Sequence, residues 1–513
     1  MKSTVKRYNI LLLMTDQHRA DICGSWGDPV VKTPTIDALA TGGTLFENTY
    51  TTCPVCVPAR ASLLSGNYCA NTAVWDNGGI LASDEPTHND YLNIAGYDTA
   101  LIGKAHYIGP DQMHGFRKRP MTNFFPTNLN WMSERTDDTL SSENLHPNPI
   151  AVDYLAENVG GRQWSMQGDF DEEVVMQAIR YLATKRSRPS ATAQKPQPPR
   201  DESPFFLQVS FNTPHEPFHP PQEFWDLYEG VDIPIPEITN EILTGINTID
   251  KDLHRLHGTD KVDITSMENL KALRRAYYAQ VSYADSLCSR VLDSLDRFGL
   301  VDNTIVIYIS DHGDMLGDKG MIQKRVFYEG SVHIPLIVRY PEGHPLRSPG
   351  TRITTPASIT DVAPTLLEMA GITDWIPMDG SPLTSFMTGT EEAGRAVFCE
   401  NYAEGVTKPG IMVRTGKYKF TKVLRGERQL FDINDDPDER KNLAGLPEYA
   451  AIESELETLI DAKFDLEDLD RRADLSYRKR IIVRDSSMRP GAPSWNYKPV
   501  VDVDRMFWRN EVE

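Results

Sequence analysis

The sequence predicts an α/β protein: a large, mostly parallel sheet flanked by helices, followed by a smaller C-terminal α+β subdomain containing an antiparallel sheet. Three observations predict it. Short, uninterrupted apolar runs recur along the first part of the chain and end beside polar residues, the pattern of buried parallel strands whose carboxyl ends open onto a site. Segments of helical periodicity lie between them, as alternating strands and helices require. From about Ala396 the texture changes to short strands spaced by Gly-containing turns.

The elements follow in order. Residues 8–15 (YNILLLMT) end in Asp16 and Gln17, and residues 99–102 are followed by Lys104 and His106. Residues 205–210 precede His215, residues 304–310 precede Asp311 and His312, and residues 334–338 form a further apolar run. The clearest helix spans about 265–298, where Leu270, Leu273, Tyr277, Val281, Ala284, Leu287, Val291 and Leu295 recur every three or four residues. Thr265 and Glu268 read as a capping box at its start and Gly299 as its stop. Residues 187–204, rich in Pro, Ser and Gln, read as an exposed insertion. The runs AVFCEN, GIMVR, KYKFT and RQLFD then predict the antiparallel sheet. The expected organisation is a catalytic domain over 1–390, a subdomain over 391–475 and a tail over 476–513. In that tail Trp495, Tyr497, Phe507 and Trp508 need another surface to cover them, so a homo-oligomer formed through it is expected.

Composition narrows the function. With 40% hydrophobic and 25% charged residues the 513-residue chain is an ordinary globular one, neither disordered nor fibrous. A net charge of −20 opposes general attraction to nucleic acid or anionic lipid, so neither is an expected partner. The apolar stretch 10–14 is too short for a secretory core or a membrane span, and six cysteines are too sparse for a disulfide scaffold. A cytoplasmic protein with reduced thiols is expected.

The chemistry concentrates in CPVCVPARASLLSG, residues 53–66. Cys53 and Cys56 could be a redox dithiol or half a zinc site, but no second CxxC or spaced His pair completes a zinc set, and no thioredoxin-sized βαβ unit surrounds them. A third reading takes Cys56, Pro58 and Arg60 together: Pro58 suits a first helical turn, and a helix starting there would aim its free N–H groups at an anion. Cys-x-Pro-x-Arg followed by ASLLSG resembles the sulfatase signature, whose cysteine is oxidised to formylglycine by a formylglycine-generating enzyme. The chain is thereby identified as similar to the sulfatases of the alkaline phosphatase superfamily. ITDVAPTLLEMAG (359–371) and LFDINDDPDERKNL (430–443) extend the likeness over essentially the whole chain. A phosphate-loop reading of GYDTALIGKA fails on spacing, and no GxSxG elbow is present.

The resemblance implies one divalent ion held by Asp16, Gln17, Asp311, His312 and the modified Cys56, with Ca²⁺ ranked before Mn²⁺ or Mg²⁺. It implies that Arg60 holds the hydrated aldehyde, that Lys104 and Lys324 neutralise sulfuryl oxygens, that His215 with Lys324 protonates the leaving alkoxide, and that His106 is the later base. Asn77 is implied as a substrate contact. Gln17 and His312 resemble the choline-sulfatase and phosphonate monoester hydrolase branches, and GKAHYIGPDQMHGF, RRAYYAQVSYAD and WNYKPVVDVDRMFWRN resemble the former. That likeness implies a small alkyl sulfate such as choline sulfate, with Trp131 offering a cation–π face. A phosphonate or phosphodiester hydrolase and an arylsulfatase are the alternatives on the same scaffold. An inactive binding relative would have lost the nucleophile or ligands, and none is lost.

Overall fold

The computed structural model describes residues 6–129, 132, 150–186, 203–239, 246–389 and 394–489. Trp131, most of the 187–204 insertion and the tail aromatics from Trp495 to Trp508 lie outside the described residues.

Eight strands build the larger sheet: β1 (Asn9–Thr15), β2 (Thr44–Tyr50), β3 (Asp98–Gly103), β4 (Phe205–Ser210), β5 (Thr304–Ser310), β6 (His333–Arg339), β7 (Thr351–Ile353) and β8 (Ala357–Ser358). Their order is β3-β4-β1-β5-β6-β2-β7, with β8 also pairing β2. β3, β4, β1 and β5 are mutually parallel. They are the apolar runs the sequence singles out, buried along their whole length. Side chains alternate between two cores. Ile10, Leu12 and Met14 pack with Ile305, Ile307 and Ile309 on one face, and Leu11 and Leu13 with Val306 and Tyr308 on the other.

Two features depart from the sequence reading. β6 runs antiparallel to both β5 and β2, whereas β2 pairs β7 and β8 in parallel, so the mostly parallel sheet is interrupted at β6. β2 lacks a continuous apolar run because Glu47 and Asn48 interrupt it, where the register shifts between Phe46 and Thr49. The long helix runs Met267–Arg297, and its N-cap is Ser266, whose hydroxyl accepts the Asn269 N–H at 3.2 Å. The predicted Thr265/Glu268 capping box does not form, because Thr265 instead bonds Asp263.

The second sheet contains β9 (Ala396–Asn401), β10 (Gly410–Thr415), β11 (Tyr418–Val423) and β12 (Arg428–Asp432), four antiparallel strands in the order β12-β11-β10-β9. It docks on the segment before the helix Cys56–Ser65. The Glu400 N–H donates to Thr52 O at 2.7 Å, and the Glu400 carboxylate accepts the N–H groups of Cys69 and Ala70. The helix Leu466–Ser487 crosses the 475/476 boundary drawn from the sequence and returns Arg480 to a buried, bidentate pair with Asp76. Truncating Arg480→Ala leaves Asp76 as an uncompensated buried charge, and urea unfolding should show a loss of about 3–5 kcal/mol. Adding Asp76→Asn to that variant should recover much of the loss; no recovery would mean that Arg480 acts through packing alone.

Candidate active site

The carboxyl ends of the parallel strands converge on one buried cluster. Asp16 follows β1, Asp311 and His312 follow β5, and Cys56 opens the helix Cys56–Ser65 with Val55 as its extended N-cap residue. A carboxylate oxygen of each aspartate, Cys56 Sγ and a His312 ring nitrogen all lie within 4.8 Å of one another, and all four residues are buried. Cys56 Sγ is 3.1 Å from His312 Nε2 and 3.9 Å from Asp16 Oδ1. His312 Nδ1 lies 3.1 Å from the Gly313 carbonyl, which leaves Nε2 facing the cluster. Two carboxylates and a neutral imidazole beside the Cys56 sulfur fit a divalent metal ion.

Arg60, one turn after Cys56, sits under this cluster. Its Nε donates to Asp311 Oδ2 and Nη2 to Asp16 Oδ2, each at 2.9 Å, while Nη1 donates to the Lys104 carbonyl and Ser210 Oγ. The guanidinium therefore fixes the two metal-site carboxylates, rather than serving residue 56 alone. Lys104 Nζ forms an ion pair with Asp16 Oδ2 at 2.7 Å, without the alignment of a full hydrogen bond. Gly103 makes this turn possible: at φ 103° its missing Cβ would otherwise lie 2.0 Å from the Ser210 carbonyl.

His215 Nε2 is 3.0 Å from Lys324 Nζ and 3.9 Å from Asp16 Oδ1. Gln17, at φ 69°, donates its N–H to Asp311 Oδ1. Its side-chain amide donates to Glu216 and Asp314 while Oε1 accepts from Lys324, so use of Gln17 as a metal donor requires Oε1 to exchange Lys324 for the ion. Asn77 holds the first turn of the Cys56 helix, with Oδ1 accepting the Val57 N–H at 3.1 Å. His106 lies at the other side of Lys104, buried, with φ 58°.

Burial sets the protonation pattern. Burial, reinforced by Asp16, pushes the Cys56 thiol up to about 12, so the unmodified side chain is a poor nucleophile near neutral pH. Burial would raise Asp16, but Lys104, His215 and Arg60 outweigh it and hold the carboxyl well below its usual range. Burial and the Asp16 charge push Asp311 up to about 7. Burial takes His215 down to about 4, and burial with neighbouring lysines holds His106 and His312 well below the ordinary imidazole value. The three imidazoles are thus neutral, able to accept protons or a metal.

Several site residues were not foreseen. Glu216, beside His215, links Gln17 to Gln323. Arg325 pairs with Glu404, which accepts the Asn77 N–H at 3.0 Å and brings the segment after β9 to the start of the Cys56 helix. Glu216 and Asp314 stand inside NTPHEPF and SDHGDMLG, whereas nothing local marks Glu404 or Arg325. A cavity of about 680 Å³ lined by Arg19, Arg274, Asp318, Lys319 and Glu439 contains none of these residues.

Fold and site together define a class of α/β protein with a buried cluster of cysteine, carboxylates and imidazole, able to hold a metal ion, at the strand ends. The family model described as Sulfatase matches residues 8–372, and that for the C-terminal part of N-sulphoglucosamine sulphohydrolase matches 317–465. The choline-sulfatase of Rhizobium meliloti is 32% identical over 99% of this chain and 97% of its own length. An arylsulfatase of Clostridium perfringens is 31% identical over 86% of this chain and 91% of its own. Among solved structures, the phosphonate monoester hydrolase of Agrobacterium radiobacter superposes with a TM-score of 0.69 at 25% identity, covering 89% of this chain and 95% of that one. The chain belongs to the Sulfatase family and is a sulfuric ester hydrolase. Among the described residues no helix is long and apolar enough to cross a membrane.

The Asp311 carboxyl gives the metal site a definite pH response. A carboxyl raised in the folded state keeps its proton from its unfolded value near about 4 up to about 7, so in metal-free protein its contribution to stability falls as pH rises through that window. An ion requires the carboxylate, so binding must release a proton below about pH 7, and affinity should weaken as pH falls, approaching about tenfold per pH unit. Titration calorimetry with Ca²⁺ or Mn²⁺ in buffers of different ionisation enthalpy measures this; pH-independent affinity between about 5.5 and 7.5 would contradict it.

Proposed function

We propose that this chain is a formylglycine- and metal-dependent hydrolase of small alkyl sulfate esters, with choline sulfate as its substrate. The carrying observation is Cys56, buried at the first turn of its helix and sharing one cluster with Asp16, Asp311 and His312. The full-length similarity to a choline-sulfatase supports the choice of ester.

Asp16, Asp311, His312 and the oxygen carried at position 56, with Gln17, would hold the ion, Ca²⁺ in preference to Mn²⁺ or Mg²⁺. Formylglycine and the ion supply an activated oxygen nucleophile and charge neutralisation at sulfur. The protein contributes the rest. Lys104 and Lys324 stand on two sides of Asp16 and Gln17, where their ammonium groups neutralise the non-bridging oxygens. Burial would strip Lys324 of its proton, but Glu216, Cys56 and Asp16 together outweigh it, and Lys324 passes a proton toward the leaving oxygen with neutral His215 at 3.0 Å as its partner. His106, neutral in its buried position, is the base that takes a proton from residue 56 to complete turnover. Asn77 holds the Val57 N–H and borders the substrate, and Trp131 offers the ammonium head its aromatic face.

Peptide mass spectrometry after co-expression with a formylglycine-generating enzyme should find Cys56 converted and Cys53 intact. Cys56→Ala should abolish turnover. Cys53→Ala should retain most of it, because Cys53 lies in an apolar cluster with Val55, Tyr68 and Trp75. Full activity with unmodified Cys56 would refute the chemistry. Side-by-side kcat/KM values on choline sulfate, an aryl sulfate and a phosphonate monoester decide the ester. Faster turnover of either rival would refute the choline assignment and leave the chemistry standing. Trp131→Ala should weaken choline sulfate by about 0.5–2 kcal/mol and an uncharged aryl sulfate by much less.

A further inference from the structure

One aromatic side chain touches three of the groups assigned to catalysis. The Phe125 ring takes Lys104 Nζ over its face at 4.3 Å from the centroid. It stacks on the His106 imidazole at 5.1 Å and 26°, and it tilts toward the His215 ring at 5.5 Å. Lys104 is thereby held between the Asp16 carboxylate on one side and an aromatic face on the other. Two residues earlier, Asn123 Oδ1 accepts the N–H groups of both Ala105 and His106 at 3.0 Å, fixing the left-handed backbone on which His106 sits.

This segment is anchored. Phe124 packs edge-on to Phe125 at 5.0 Å and against Phe170 at 5.2 Å, on the helix Met166–Lys185. The same helix holds the loop of His215: Gln167 donates to the His215 carbonyl, and Asp171 accepts the N–H groups of Asn212 and Thr213. The two catalytic loops, after β3 and after β4, therefore share one support.

We propose that Phe125, with Asn123, is a positioning residue that holds Lys104, His106 and His215 as one preorganised wall of the sulfatase site. The ring cannot take part in proton transfer. Its quadrupole attracts the Lys104 ammonium, and its flat face orients the His106 ring and keeps water from the space between them. This inference rests on the catalytic roles proposed above for those three residues.

The test uses the full chain, matured with a formylglycine-generating enzyme, with conversion of Cys56 and metal content checked for every variant. Phe125→Leu should lower kcat by about 10- to 100-fold with little change in KM, the loss expected when catalytic groups shift rather than substrate contacts. Phe125→Tyr should restore kcat to within about threefold, since it keeps the aromatic face. Replacing the ring by its pentafluoro analogue keeps the shape and reverses the quadrupole. It should lower kcat by about threefold to thirtyfold, which tests the ammonium contact even where the leucine variant folds poorly. A readout without turnover is labelling by diethyl pyrocarbonate: His106 should react faster in Phe125→Leu while buried His18 and His88 stay unreactive. Unchanged kcat in the leucine and pentafluoro variants, a loss confined to KM, or a tyrosine variant as poor as leucine overturns the proposal. The labelling readout decides the positioning role even if the sulfate ester is wrongly assigned.

Discussion

The Arg60 guanidinium, bridging Asp16 and Asp311, is the interaction on which the rest of the site depends. β1 and β5 are adjacent and in parallel register, so the aspartates that follow them stand together in a region closed to water. Two carboxylates in such a place repel, and without a cation between them the ends of the central strands could not stay closed. Arg60 supplies that cation from the helix that also carries Cys56, so the same contact that satisfies the strand ends sets Cys56 against Asp16, Asp311 and His312. The planar fork of arginine suits this task, since it reaches both carboxylates with separate nitrogens.

Around that contact the protein builds alternating charges rather than a single electrostatic sign. Asp16 is flanked by Arg60 and Lys104, and Lys324 by Gln17, His215 and Glu216. Each of these buried charges has an opposite charge or a hydrogen-bonding amide beside it, which makes removal from water tolerable and keeps Lys324 protonated next to neutral His215. The sulfuryl transfer proposed for this site would use this division: cations for the oxygens, neutral nitrogen bases for the protons.

The C-terminal sheet completes the site. Glu400 ties β9 to the backbone of Cys69 and Ala70, and Glu404 ties the segment after it to Asn77 and Arg325. Residues outside the cluster thus hold the start of the Cys56 helix from behind.

The strands β1, β3, β4 and β5, the polar residues that follow them, and the Cys56 motif were legible from the residues alone, because strand burial is written as local apolar runs and the motif spans a few consecutive positions. The same locality explains the four short strands of the second sheet. The reversed direction of β6, the interrupted strand β2, the partners of Arg60, the arrival of Glu404 and the aromatic support at Phe125 emerge only when the elements pack. Arg60 and Asp311 are 251 residues apart, and Asn77 and Glu404 are 327 apart. A partner at such a distance leaves no periodicity around either residue; it is selected when strands and helices pack, by which buried charge would otherwise remain unpaired.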